Sequence, residues 1–225
     1  IDLLSNYSEK FGLGQTTGID LPGERPGIMP SKQWKKGARG QSWFNGDTIN
    51  TSIGQGFMLA TPLQLAVMSA RIASRGKMVT PKLVKSINGE TLVSNEIPEP
   101  LAINSEHWDY VHKAMKDVVH STRGTAKGIS KGLSYKIAGK TGTAQVISIK
   151  AEEEYDSSRI DKSQWDHALF VAFAPAEDPQ IAIGLIVENG EHGSSAAAPI
   201  ARLVIDVYMN SNTGSHQAAI AEVVN

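Results

Sequence analysis

The chain has 225 residues, no cysteine and nearly balanced charge, with Lys+Arg 22 against Asp+Glu 23 and a formal net charge of -1. That length suits one domain with a substantial core, or two small ones. The missing cysteines exclude disulfides, thiolate metal sites and cysteine nucleophiles, and the lack of basic excess argues against nucleic acid as a partner. No apolar run reaches the ~18 residues that a membrane helix needs, and no signal peptide opens the chain. Helical sequence follows directly on Ile1. The expectation is therefore a chain that starts partway through a longer protein, with any anchor or export signal upstream.

In "DLLSNYSEKFG", Leu3, Leu4, Tyr7 and Phe11 fall on one helical face, and Gly12 supplies a C-terminal cap. Residues 14–56 read as irregular, rich in Gly, Pro, Thr and Trp, with one short helical piece near residues 31–36. Such a stretch inside a compact domain is a functional or packing loop. Thr61 is a natural N-cap and Pro62 fits the first helical position. Leu63, Ala66, Val67, Ala70 and Ile72 supply the apolar face of the helix they open, and Gly76 closes it. Asn88-Gly89 between two short apolar runs predicts a hairpin. Ser105 is expected to cap a helix "EHWDYVHKAMKDVVH" with Trp108, Val111, Met115 and Val118 or Val119 inward, and "RGTAKGIS" reads as a turn.

Three strand candidates follow: "IAGKTGTAQV", "HALFVAFAPA" and "QIAIGLIVENG". The short turn "PAEDP" makes the last two antiparallel, while a charged loop, "SIKAEEEYDSSRIDKSQWD", separates the first two. "SSAAAPIARLVIDVYM" is an apolar helix able to lie across the sheet. Residues 1–210 are expected to form the domain, and 211–225 a flexible tail. The fold class is α+β, an antiparallel sheet packed with helices.

The first strand is interrupted in its middle. Side chains alternate along a strand, so Thr141 and Thr143 share one face while Lys140 and Gly142 share the other. At a sheet edge the long Lys140 stem can bend toward a cleft, and Gly142 leaves one backbone step open to a ligand. A charge, two hydroxyls and backbone N–H groups then lie close together, which suits a carboxylate and a developing oxyanion. The bland alternative is an edge lysine that merely blunts aggregation.

K-T-G accompanies S-x-x-K and S-D-N in serine β-lactamases and penicillin-binding proteins. Around it stand "FGLGQTTGIDLPGE", "GDTINTSIGQGFMLATPLQLA", "GTAKG", "KIAGKTGTAQV" and "DHALFVAFAP". Together these stretches resemble the transpeptidase domain of the class B, monofunctional penicillin-binding proteins, over roughly residues 1–209. The resemblance implies a serine β-lactamase/penicillin-binding transpeptidase-like fold, of which this chain is the C-terminal portion. It implies that Lys140, Thr141 and Thr143 hold the terminal carboxylate of a D-Ala-D-Ala stem peptide or of a β-lactam. The Thr143 N–H would form half of an oxyanion hole, with Gly142 keeping the path clear. No cofactor or metal is implied by the residues present. Implied partners are the peptidoglycan stem peptide, β-lactam antibiotics, the upstream part of the same protein, a SEDS-type glycan polymerase and scaffold proteins of the elongation machinery. The implied location is the periplasmic face of the bacterial inner membrane.

Ser74-Arg75-Gly76-Lys77 fits S-x-x-K and Ser86-Ile87-Asn88 fits S-x-N, yet neither is accepted. Ser74 lies at a helix end, where Gly76 breaks the turn that would align it with Lys77, and Asn88 is required by the hairpin. In the family both elements precede the region that opens this chain, so the nucleophile is expected upstream. Asp47, Thr48 and Gln55 lie in a region that packs near the active site in the family, with a structural role favoured. Asp166-His167 reads as a polar strand end. His107, His112 and His120 lack metal-pair spacing, and Asp109 or Asp117 is expected to pair with Lys113. Glu152, Glu153 and Glu154 form a solvated run on a loop able to fold as a lid. Trp34, Trp43 and Trp165 either pack loops or line a surface. Two further activities stay open: a β-lactamase or carboxypeptidase, and a non-catalytic penicillin-sensing module.

Overall fold

The structure is a computed structural model that describes residues 1–91, 99–147 and 156–212. The chain forms two compact units, Ile1–Trp108 and Asp109–Asn225.

The first unit opens with α1 (Asp2–Lys10), which ends at Phe11 before Gly12 at φ 96°. Its apolar spacing does not decide its buried face: Leu3 and Tyr7 are exposed, whereas Ser5 is buried. The helix is held instead at its C-terminal end. The Arg71 guanidinium donates to the Lys10 carbonyl at 2.9 Å, and Phe11 meets the Trp108 ring edge-on at 6.0 Å. The 14–56 stretch is less irregular than expected, because α2 (Lys32–Arg39) is followed by α3 (Asn45–Ser52). α3 escapes sequence reading because "NGDTINTS" is made of weak helix formers. Tertiary contacts supply what propensity lacks. The Asp47 carboxylate accepts from the Phe44 N–H at 2.8 Å and from Lys35 Nζ at 2.6 Å, and Nζ lies over the Phe44 ring at 4.8 Å.

α4 (Pro62–Ala73) begins as expected, with the Thr61 hydroxyl accepting from the Gln64 N–H and Gln64 Oε1 accepting from the Thr61 N–H. Its buried face needs correcting. Val67 is inside, but Leu63, Ala66, Ala70 and Ile72 are half-buried, and Gln64, Ser69, Arg71 and Ala73 are buried. The reason is the Gln64 amide, which donates to the Gln15 and Pro26 carbonyls at 2.7 Å each and binds an upstream loop. A fully satisfied polar group can be buried at little cost. The hairpin forms as expected from β1 (Ser86–Ile87) and β2 (Glu90–Thr91), with Asn88 and Gly89 both at positive φ. The rest of its second apolar run lies outside the described residues.

The sequence boundary between the units falls within α5 (Ser105–His120), after Trp108. Its cap is Asn104, whose Oδ1 accepts from the Glu106 N–H at 3.1 Å, and not Ser105. The inward stripe is Trp108, His112, Met115 and Val119; His112 packs on Phe173 with ring centroids 5.0 Å apart. Val111 sits beside that stripe and is exposed, contrary to expectation.

The second unit is built on a three-stranded antiparallel sheet of order β3-β4-β5, with β3 (Ala138–Ala144), β4 (His167–Ala174) and β5 (Ile181–Val187). A single wide turn, Gly193–Ala197, leads into α6 (Ala198–Asn212). As expected, α6 lies on the sheet. Ala197, Ala198, Ala201 and Ile205 pack with Ala168, Phe170, Ala172 and Ala174 of β4. Small residues on both surfaces let helix and sheet approach closely, and Phe170 fills the space between. α6 extends two residues into the stretch read as a tail; residues 213–225 lie outside the described residues.

Candidate functional site

The interrupted strand is β3, one of the two outer strands of its sheet. Which way its amides point follows from the register. In an antiparallel sheet each residue directs its N–H and C=O to one side, and neighbours alternate. The Ala174 carbonyl accepts from Gln180 and the Asp166 carbonyl from Glu191, so even-numbered residues of β4 face β5. Leu169, Val171 and Phe173 therefore face β3, where their partners are Gly142, Lys140 and Ala138. Gly139, Thr141 and Thr143 are left with their amides and carbonyls turned to the outer edge. Ile137 continues the alternation, because its N–H leaves the sheet to donate to His120 Nε2 at 3.0 Å.

Side chains converge on the same edge. Lys140 starts from the opposite face to Thr141, yet its ammonium curls round and donates to the Thr141 carbonyl at 2.6 Å. The Thr141 hydroxyl lies 3.2 Å from the Thr125 hydroxyl. Lys140 and Thr143 are exposed, and Thr141 and Gly142 half-buried. The four residues singled out from sequence thus occupy one continuous rim, carrying an ammonium, hydroxyls and outward amides.

Three supports of this rim were not legible in the motif. Gly139 leaves room for the Phe170 ring, whose Cζ would lie 2.6 Å from an added Cβ. Gly193 rests on the 142–169 pair, where an added Cβ would meet the Leu169 carbonyl oxygen at 2.3 Å and the Gly142 oxygen at 2.8 Å. Thr125, inside a stretch read as a turn, touches the motif directly. Its only sequence signal is the quoted "GTAKG".

The remaining candidates have structural settings. Thr48 accepts from Trp43 Nε1 at 2.8 Å, and Asp47 holds Lys35, whose ammonium is the first cause keeping the Asp47 carboxyl below its ordinary range. His167 Nδ1 accepts from the Asn189 N–H at 3.0 Å, and buried Asp166 takes the Val146 N–H at 3.4 Å. Trp165 donates to the Ser157 carbonyl at 3.0 Å, and Trp34 packs on Phe57. Lys113 pairs with Asp117 at 2.9 Å. The Ser74 hydroxyl donates to the Ala70 carbonyl, while Arg75 and Gly76 at positive φ end the helix before Lys77. Among the described residues no cluster of His, Cys, Asp or Glu could hold a metal ion. The three-glutamate run, residues 152–154, lies outside the described residues.

The penicillin binding protein transpeptidase domain model matches residues 1–206. The chain belongs to that family. The motif set resembles penicillin-binding protein 2 most within class B, and the relatives agree. The peptidoglycan D,D-transpeptidase MrdA of Acinetobacter baumannii is 44% identical over 213 residues, covering 93% of this chain and 31% of that protein. The solved Pseudomonas aeruginosa PBP2 in complex with WCK 5153 is 43% identical at TM-score 0.81, covering 92% of this chain and 44% of that one. Helicobacter pylori PBP2, solved as a complex with MreC, is 33% identical at TM-score 0.75, covering 92% and 36%. The expected α+β, penicillin-binding fold is therefore met, and the chain spans about a third of the length of the curated relatives.

Proposed function

We propose that this chain is the C-terminal part of the transpeptidase domain of a peptidoglycan D,D-transpeptidase, within residues 1–210, and supplies the wall of the active site that recognises the substrate's carboxylate end. The observation that carries the reading is the β3 register, which turns the Thr141 and Thr143 amides outward beside the Lys140 ammonium. A stem peptide ending in D-Ala-D-Ala, or a β-lactam, would lie along this edge as an added strand. Its carboxylate would meet Lys140 Nζ and the Thr141 and Thr143 hydroxyls. The Thr143 N–H would donate to the carbonyl oxygen as it gains charge, an interaction typically worth about 3 kcal/mol in the transition state.

A serine from the upstream part would attack that carbonyl, expel D-Ala and form an acyl-enzyme. The amine of a neighbouring stem peptide would then take the acyl group and release the serine. The family setting supports a location on the periplasmic face of the inner membrane, with the anchor upstream. The MreC complex of the Helicobacter relative supports an elongation scaffold protein as partner, and a SEDS-type glycan polymerase completes the expected assembly. The test is acylation of the full-length protein by a fluorescent penicillin, followed by cross-linking of stem peptides. Lys140→Ala should slow acylation by about 10²-fold while leaving folding intact. Wild-type acylation by that variant would refute the reading, and rapid release of the penicillin by the unaltered protein would make it a β-lactamase.

A further inference from the structure

Thr141 of the rim has a second hydroxyl beside its own: Thr125 Oγ1 at 3.2 Å. Thr125 lies on an exposed turn, but the turn is firmly placed. Gly124 sits on the end of α5, where an added Cβ would meet the Val118 carbonyl oxygen at 2.3 Å and the Asp117 oxygen at 2.6 Å. Ala126 is buried and donates to the Val118 carbonyl at 3.0 Å. Lys127 Nζ closes the loop by donating to the Thr122 carbonyl at 3.2 Å. Thr125 is thus held between two anchored residues, and its hydroxyl is carried to the motif by the fold.

A hydroxyl has one proton and two lone pairs, so what Thr141 offers a ligand depends on what Thr125 does. When Thr125 donates to Thr141 Oγ1, the Thr141 proton is released to point outward, and an incoming carboxylate receives it. When Thr141 donates to Thr125, it presents lone pairs to the same carboxylate and repels it. An anionic ligand selects the first arrangement. We infer that Thr125 is a positioning residue for the carboxylate site, setting the direction of the Thr141 hydroxyl through the Thr125–Thr141 hydrogen bond. This rests on the carboxylate role given to Thr141 in the proposed function.

The experiment measures acylation of the full-length protein by a fluorescent penicillin in Thr125→Val, Thr125→Ser, Thr141→Val and the Thr125→Val/Thr141→Val pair. Valine keeps the shape of threonine and removes the hydroxyl. Thr125→Val should weaken the initial non-covalent complex by about 3- to 10-fold, leave the acylation rate at saturation unchanged and leave the thermal midpoint unmoved. Thr125→Ser should restore binding. The pair should be no weaker than Thr141→Val alone, because the effect passes through Thr141. Wild-type binding by Thr125→Val with Thr141→Val impaired would overturn this inference while leaving the proposed function standing. So would additive losses in the pair, or a Thr125→Ser as weak as Thr125→Val. Wild-type binding by Thr141→Val would overturn both.

Discussion

Gly193→Ala measures how closely the rim depends on the helix behind it. The new methyl would lie 2.3 Å from the Leu169 carbonyl oxygen, 2.8 Å from the Gly142 oxygen and 3.1 Å from the Gly142 nitrogen. An ordinary carbon–oxygen contact is about 3.3 Å, so one of these contacts is short by about 1 Å. All three atoms are backbone, and no side chain can swing away. Relief requires the wide turn before α6 to lift from β3 and β4. Overpacking of this kind typically costs about 1–3 kcal/mol, and the rigid neighbours place this case at the upper end. About 3 kcal/mol should lower the thermal midpoint by roughly 6–12 °C for a chain of this size. Urea titration should show an earlier midpoint at unchanged slope. Gly128→Ala is the control, because an added Cβ there meets nothing within 4 Å. In the full-length protein Gly193→Ala should also slow penicillin acylation, since the contact bears on Gly142. Unfolding of Gly193→Ala indistinguishable from the Gly128→Ala control would refute the reasoning.

Phe170 is fully buried between β4 and α6, so Phe170→Ala should lower stability by about 3–5 kcal/mol, read by urea titration. The Tyr135 hydroxyl donates to Asp206 Oδ1 at 2.5 Å, and burial first, then that hydrogen bond, hold the phenol far above its ordinary range. A raised acid contributes stability below its unfolded value of about 10, and loses it as pH rises toward the folded value. Alkaline titration should find one late phenolate and falling stability above that pH, and Tyr135→Phe should abolish both. His120 behaves in the opposite sense. Burial, then the neighbouring Lys136, lowers its pKa, and the neutral ring accepts the Ile137 N–H at the entry to β3. Its contribution is present above about 6.5 and declines as pH falls toward the folded value. His120→Gln should flatten that acid limb in urea midpoints measured against pH.

Much of this arrangement is legible in the chain because local and tertiary preferences agree. "IAGKTGTAQV", "HALFVAFAPA" and "QIAIGLIVENG" become the three strands. Asn88-Gly89 makes its turn, and Thr61-Pro62 opens its helix. Sequence reasoning fails where a polar residue replaces an apolar one in a packed position. Gln64 is buried because it ties two loop carbonyls, and α3 exists because Asp47 and Lys35 hold it. It fails also where spacing is read too broadly, as with Leu3, Tyr7 and Val111. At the site, the motif names its own residues but not their supports. Thr125, Gly139 and Gly193 matter through contacts made at long sequence separation or across strands, and no local pattern marks them.

The central claim is that β3 offers an ammonium, hydroxyls and an outward amide to a ligand's anionic end. A crystal structure of the full-length protein acylated by a penicillin tests it most directly. The account predicts the Thr143 N–H within about 2.7–3.1 Å of the acyl carbonyl oxygen, and the penicillin carboxylate against Lys140 Nζ and the Thr141 hydroxyl. An acyl group whose oxygen is held by other donors, with its carboxylate turned away from β3, would contradict it.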